Sequence, residues 1–151
     1  MAMQRGIKVA LAAVLALAAC KSVMAQEPLR VEVVSTAPHQ KEPILVRITN
    51  LTTKELELVL PKYGASLATD PLDIERRNGK KWTEIALAFA GPKPKGSPKI
   101  QPGETIERQF GVIGAGDYRV RVWYVASPPS LGPPLRSPKY ASVISASFRV
   151  D

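Results

Sequence analysis

Few side chains in this sequence could do chemistry, and their spacing narrows the choice further. A Ser-His-Asp relay would have to run through His39, the only histidine, because an imidazole takes the serine proton in such a relay. His39 lies in a turn-like stretch at residues 38–43, and no Gly-x-Ser-x-Gly elbow stands elsewhere to partner it, so it reads as a solvated turn residue. Zinc and copper sites draw on several nitrogen or sulfur ligands, and one histidine with one cysteine, Cys20, cannot supply them. Asp70 with Asp73 and Glu55 with Glu57 have the composition of a glycosidase pair, two carboxyl groups roughly 5–9 Å apart. Glu55 and Glu57, however, alternate with Leu56 and Leu58 and so belong to the wet face of a strand. Residues 111–116 hold three glycines, but between strands and with no helix to receive a phosphate they read as turn chemistry. No calcium loop of alternating acids is present. The expectation is a protein that is not an enzyme and needs no cofactor and no metal.

Binding chemistry has better candidates. Arg76, Arg77, Lys80 and Lys81 place four cations around a tight turn, a basic knuckle that could contact an anion such as phosphate, an acidic glycan or a lipid headgroup. Its plain alternative is a charged hairpin end that aids solubility and blunts edge pairing. Arg119, Arg121 and Trp123 share one face of a strand whose other face carries Tyr118, Val120, Val122 and Tyr124. If the second set faces the core, an arginine-tryptophan ladder faces out, and these residue types dominate interface hot spots. A structural explanation competes: cross-strand pairing with Glu107 or Glu32 plus cation–π stacking. The third candidate is the stretch 127–138, with five prolines. Its Pro128, Pro129, Leu131, Pro133, Pro134, Leu135 and Arg136 would form a stiff extended loop that loses little entropy on docking.

These candidates need a scaffold. Residues 1–8 carry Arg5 and Lys8 without an acid, and residues 9–19 are an unbroken apolar run, the pattern of a secretory signal peptide. The run is too short for a spanning helix, which needs about 20 apolar residues. Two cleavage readings stay open. Val23-Met24-Ala25 before Gln26 suits the ordinary signal peptidase and divides the chain into a leader, 1–25, and one domain, 26–151. Leu17-Ala18-Ala19-Cys20 resembles the bacterial lipobox, which would lipidate Cys20 and give the protein its one tie to a membrane. Loss of Arg5, Lys8 and Lys21 lowers the 21 basic residues to 18 against 13 acids, so the formal charge falls from +8 to +5. An exported protein with that modest charge, whose basic residues are not interleaved with stacking aromatics, is not expected to bind nucleic acid.

Within 26–151 the apolar spacing has period two. Strands are expected at 29–35, 44–49, 55–60, 72–77, 80–85, 105–112, 118–125 and 141–150, with Asn78-Gly79 as the two-residue turn of a hairpin. Fourteen prolines in the chain break it into short elements, and no amphipathic helix stands out. Residues 86–103 read as a loop. An antiparallel sandwich of about seven or eight strands follows, with a closed barrel as the alternative.

Pro102-Gly103-Glu104-Thr105, then Gly116-Asp117-Tyr118-Arg119-Val120-Arg121-Val122, resembles the Pro-Gly-Glu turn and Gly-x-Tyr-x-Val-x-Val strand of bacterial immunoglobulin-like and fibronectin-III-like domains. Residues 41–52, with Asn50 after the apolar run, look like the second strand of such domains. The resemblance implies an immunoglobulin-like sandwich in which the Tyr118 hydroxyl bonds backbone a few residues upstream. The antibody-type cysteine pair is missing, so the wider class is meant. The resemblance also implies a non-catalytic binding module, here of the bacterial envelope, periplasmic or secreted, with an envelope protein or glycan as partner. The alternative is an immunoglobulin-like peptidase inhibitor acting through the 127–138 loop, although neither Asn-Pro-Thr-Thr-Gly nor Arg-Pro-Trp occurs.

Overall fold

The computed structural model describes residues 27–35, 38–39, 42–63, 66–67, 70–85, 96–112, 114–127 and 137–151. Among them the chain forms strands and no helix: β1 (Leu29–Val33), β2 (Ile44–Asn50), β3 (Leu56–Val59), β4 (Lys62–Tyr63), β5 (Ser66–Leu67), β6 (Asp73–Asn78), β7 (Lys81–Ile85), β8 (Lys99–Ile100), β9 (Thr105–Phe110), β10 (Gly116–Ser127), β11 (Lys139–Ile144) and β12 (Phe148–Val150). The pairs are antiparallel. One sheet runs β1-β2-β9, and a larger one runs β7-β6-β10-β3-β8 with β11 and β12 also on β10. Alternation explains why they stack. Ile44, Val46 and Ile48 of β2 point the same way and are fully buried, as are Tyr118, Val120 and Val122 of β10. These side chains join Leu29, Val31, Leu58, Ile74 and Phe110 in one apolar cluster fed by both sheets, which makes the fold an all-β sandwich and not a closed barrel. Burial of each such side chain stabilises by about 1.5–3 kcal/mol. Phe148 bridges the layers, edge-on to Phe110 at 6.4 Å and stacked on Tyr118 at 6.0 Å between ring centres.

Two polar residues hold the layers in place from inside. Asn50 is fully buried at the end of β2. Its Nδ2 donates to the carbonyls of Lys54 at 2.7 Å and Ile100 at 3.0 Å, and its Oδ1 accepts from the backbone N–H and hydroxyl of Thr52. The asparagine thus satisfies its own amide while tying β2 to β8 in the opposite sheet. At the other end, the buried Tyr118 hydroxyl donates to the Gly114 carbonyl four residues upstream at 2.7 Å.

The long strand β10 organises the larger sheet. Along one edge it pairs with β6 through residues 118–121 and then with β3 through Trp123 and Tyr124; along the other it pairs with β12 and then β11. The closing segment expected as one strand over 141–150 is therefore two. Ser145 makes the break: its buried Oγ accepts from Val120 N at 3.0 Å and donates to the Ala146 carbonyl, standing in for a ladder partner. The hairpin also differs from expectation. Asn78 pairs with Lys81, so the two-residue loop is Gly79-Lys80 rather than Asn78-Gly79. Gly79 takes a positive φ, at 61°, and a glycine leading the loop suits a primed turn. The partner of Arg77 shifts from Lys80 to Trp82, two residues along, so every side chain keeps its face.

Candidate functional site

The outer face of the larger sheet carries the polar cluster. On β10 the residues between the core positions are Arg119, Arg121 and Trp123, and the register sets Arg119 beside Glu75 and Arg121 beside Asp73. Both guanidiniums close on Glu75: Arg119 Nε bonds Oε2, and Arg121 Nη2 lies 2.9 Å from Oε1. All three side chains are largely covered, the arginines 22% and 24% exposed and the glutamate 11%. Arg119 stacks over Trp82 at 4.4 Å and Arg121 over Trp123 at 5.5 Å. Arg121 Nε is buried and finds no acceptor among the described residues. The Trp123 indole N–H donates to Asp73 Oδ2 at 2.7 Å, which fixes the ring. The arginine-tryptophan face is real, but its counter-ion comes from β6. Glu107, expected as a partner, instead pairs with Arg47 at 2.7 Å across β2 and β9 in the other sheet, and Glu32 lies in that same sheet on β1.

Beside this cluster the sheet has a notch. Along the edge of β10, β3 ends at Val59, Pro61 has no N–H to continue a ladder, and β6 starts at Asp73. At this junction the outer face has a pocket of about 430 Å³ lined by Val59, Leu60, Pro61, Asp73, Glu84, Trp123 and Tyr140. Tyr140 and Ile144 occupy the same face of β11 and are 57% and 38% exposed, the exposed large apolar side chains among the described residues. Glu84 is exposed on β7 opposite Glu75 and has no hydrogen bond or ion pair among the described residues. Partial burial pushes its carboxyl up from the ordinary range, and the neighbouring Asp73 and Glu75 charges push it further.

No protein-family model, curated protein or solved structure matches this chain. Its functional reading rests on its own geometry.

The basic knuckle is partly spent on the fold. Arg76 Nη2 donates to the Ala115 carbonyl at 2.7 Å and its guanidinium lies 5.8 Å from the Tyr118 ring centre. It also lies across Gly116, where a Cβ would meet Arg76 Nε at 3.1 Å on a backbone already at φ 153°. Arg77 Nε donates to the Gly79 carbonyl, and its Nη1 is 4.0 Å from Asp117. Lys80 and Lys81 remain exposed without an ion pair among the described residues. The carboxylate pairs are also separately engaged: Asp70 pairs with Arg108 at 3.0 Å, Asp73 with the Trp123 indole, and Glu55 with Lys99 at 2.8 Å. His39 is exposed in its turn, its backbone N–H donating to Glu42 Oε2 at 3.1 Å. Among the described residues no three acids or histidines gather as metal ligands.

Cys20 and the loop residues Pro128, Pro129, Leu131, Pro133, Pro134, Leu135 and Arg136 lie outside the described residues. The ends of that loop do not: Ser127 pairs with Lys139, and Val125 with Tyr140 at the pocket. Sequence reading missed Glu75, Trp82, Glu84, Tyr140 and the notch. One available signal was the acid-apolar-acid run Asp73-Ile74-Glu75, which has the same period as Arg119-Val120-Arg121 and the opposite charge.

Proposed function

We propose that this chain is an exported, non-catalytic binding module of the bacterial envelope, immunoglobulin-like in type, that docks a partner on the outer face of its larger sheet. The observation that carries this reading is the placement of Tyr140 and Ile144. Large apolar groups left open to water on one face of β11, with Tyr140 lining a pocket that holds an oriented tryptophan, are what a recognition surface requires. The proline-rich stretch connects β10 to β11, and Tyr140 of the pocket lies one residue beyond the Ser127–Lys139 pair that ends this ladder. The Tyr118 bond to Gly114 supports the immunoglobulin-like reading. Residues 1–25 are read as the export leader, which puts the domain in the periplasm or outside the cell, or on a membrane where Cys20 is lipidated.

Cross-linking in whole cells followed by mass spectrometry should capture an envelope partner with the wild-type chain. Deletion of 129–136, and separately Tyr140→Ala, should abolish capture while thermal unfolding stays nearly unchanged. Capture that survives both changes would remove this surface from consideration.

A further inference from the structure

Beyond the docking surface, we propose that β11 is a self-association edge. Two copies of this chain pair antiparallel along residues 140–144 about a two-fold axis at Ser142, and the larger sheet continues from one copy into the other. The backbone prepares this edge. Ser145 N donates to the Val120 carbonyl at 2.8 Å and Val120 N donates to Ser145 Oγ at 3.0 Å, so these two residues are a bonded pair of the β10 ladder. Bonded and non-bonded pairs alternate along an antiparallel ladder, which makes Val122 with Val143 and Tyr124 with Ala141 the next bonded pairs. Tyr140, Ser142 and Ile144 fall between them and aim their N–H and C=O groups away from β10, where no described strand pairs with them. Such a row of open donors and acceptors is a template for another strand. The other longer strands that end a sheet are guarded by charge: Arg30 and Glu32 in β1, Glu107 and Arg108 in β9, Lys81 and Glu84 in β7. In β11 the sole charge is Lys139, its first residue, and 140–144 hold neither charge nor proline.

Symmetry selects a second copy as the occupant. With Ser142 on the axis, every outward-aimed residue meets another: Ser142 meets its own counterpart, and Tyr140 meets Ile144 of the second copy on both sides of the axis. An axis at Ala141 or Val143 would leave Ile144 or Tyr140 without such a partner. The side chains of 140, 142 and 144 share the outer face, opposite Val125, Trp123 and Arg121, so each exposed tyrosine would lie against an exposed isoleucine across the joint. An aromatic beside a β-branched side chain is a favourable cross-strand pair. Lys139 falls outside the paired stretch in both copies, so no like charges are opposed. One segment thus supplies both halves of every pair, as an isologous interface requires, and the pairing uses up the edge in each chain, so assembly closes at two.

The chain is expressed from its full sequence, purified as the cell processes it, and weighed in solution by sedimentation equilibrium. Wild type should have twice the mass of one chain. Ser142→Pro removes an N–H that faces away from β10, a change an edge strand tolerates. It should keep the wild-type circular dichroism and halve the mass. Ser142→Lys and Ser142→Glu should each be monomeric, because the axis opposes two like charges, and an equimolar mixture of the two should recover the dimer. A folding defect would not be rescued in this way. Ser142→Cys should form a bridge between chains on oxidation, mapped to position 142 by peptide mass, since bonded antiparallel neighbours have Cα atoms about 5.5 Å apart, within disulfide reach. A wild type of single-chain mass would overturn the proposal, as would a dimer that survives Ser142→Pro. If wild type is monomeric and Ser142→Pro abolishes capture of another protein, the edge takes a foreign strand and the second copy is excluded. None of these masses bears on the docking surface, whose test is capture by the 129–136 deletion and by Tyr140→Ala.

Discussion

Replacing Asn50 by alanine should destabilise this domain by about 3 kcal/mol, a figure that follows from the fate of each bond. The fully buried amide donates to Lys54 O and Ile100 O and accepts twice from Thr52. The Thr52 hydroxyl loses little, because the Lys54 carbonyl also lies within reach at 2.9 Å. The other three bonds contribute about 0.5–1.5 kcal/mol each, and groups left unpaired in the interior cost towards the upper end. At this domain size each kcal/mol moves the midpoint by roughly 3–4 °C, so Tm should fall by about 10 °C. Urea unfolding should show a lower midpoint at an unchanged slope. Two controls isolate the cause. Thr52→Val removes the dispensable hydroxyl and should cost under about 1 kcal/mol. Asn50→Asp keeps the shape but turns an oxygen towards two carbonyl oxygens, and should be at least as damaging as alanine. A loss below about 1 kcal/mol for Asn50→Ala, or wild-type stability for Asn50→Asp, would refute the view that this amide ties the sheets together.

Other perturbations have equally direct outcomes. Glu75→Gln leaves Arg119 and Arg121 side by side with no carboxylate between them; partial exposure moderates the cost, and a loss of about 1.5–3 kcal/mol in chemical denaturation is expected. Tyr118→Phe deletes the bond to Gly114 and keeps the ring packing, for a loss of about 1 kcal/mol. Glu84 and Glu55 should act with opposite sign on the pH profile. Burial and its acidic neighbours raise Glu84, so the native state binds its proton more readily; that contribution is full below the ordinary value of 4.5 and is lost as pH rises through the folded value. Glu84→Gln should therefore be more stable than wild type at pH 7 and lose that advantage in acid. The Lys99 and Gln101 side chains lower Glu55, so its contribution is present above 4.5 and vanishes as pH falls through the folded value. Glu55→Gln should be less stable at pH 7 and match wild type in acid, as thermal melts across pH will show.

Period-two alternation made the strands and the sandwich legible, because a half-buried strand must show its two faces in its sequence. It equally placed Arg119, Arg121 and Trp123 on the side away from Tyr118, Val120 and Val122. Alternation says nothing, however, about which strand lies next door. The partner of Arg119 turned out to be 44 residues away in β6 because sheet order is settled by packing across the whole domain. Two-residue strands such as β8 have no period to read and exist because Glu57 and Leu56 offer them a ladder. The pocket was the least legible feature. It is lined where β3 stops and β6 starts, and no local pattern records that two strand ends will share one neighbour.

That shared neighbour also sets an order of assembly. Val59 and Glu75 precede their β10 partners Trp123 and Arg119 by many residues, while β11 and β12 follow it. A chain delivered N-terminus first, from a ribosome or across a membrane, can pair β1 with β2 and β6 with β7 early. It holds those hairpins without a common core until β10 emerges, and the second edge of β10 is covered first by β11 and last, at Gly116–Tyr118, by β12. Such dependence on distant pairings slows folding. It keeps the chain threadable for most of its length and joins completion of the core to the arrival of Phe148, the ring that bridges the two layers.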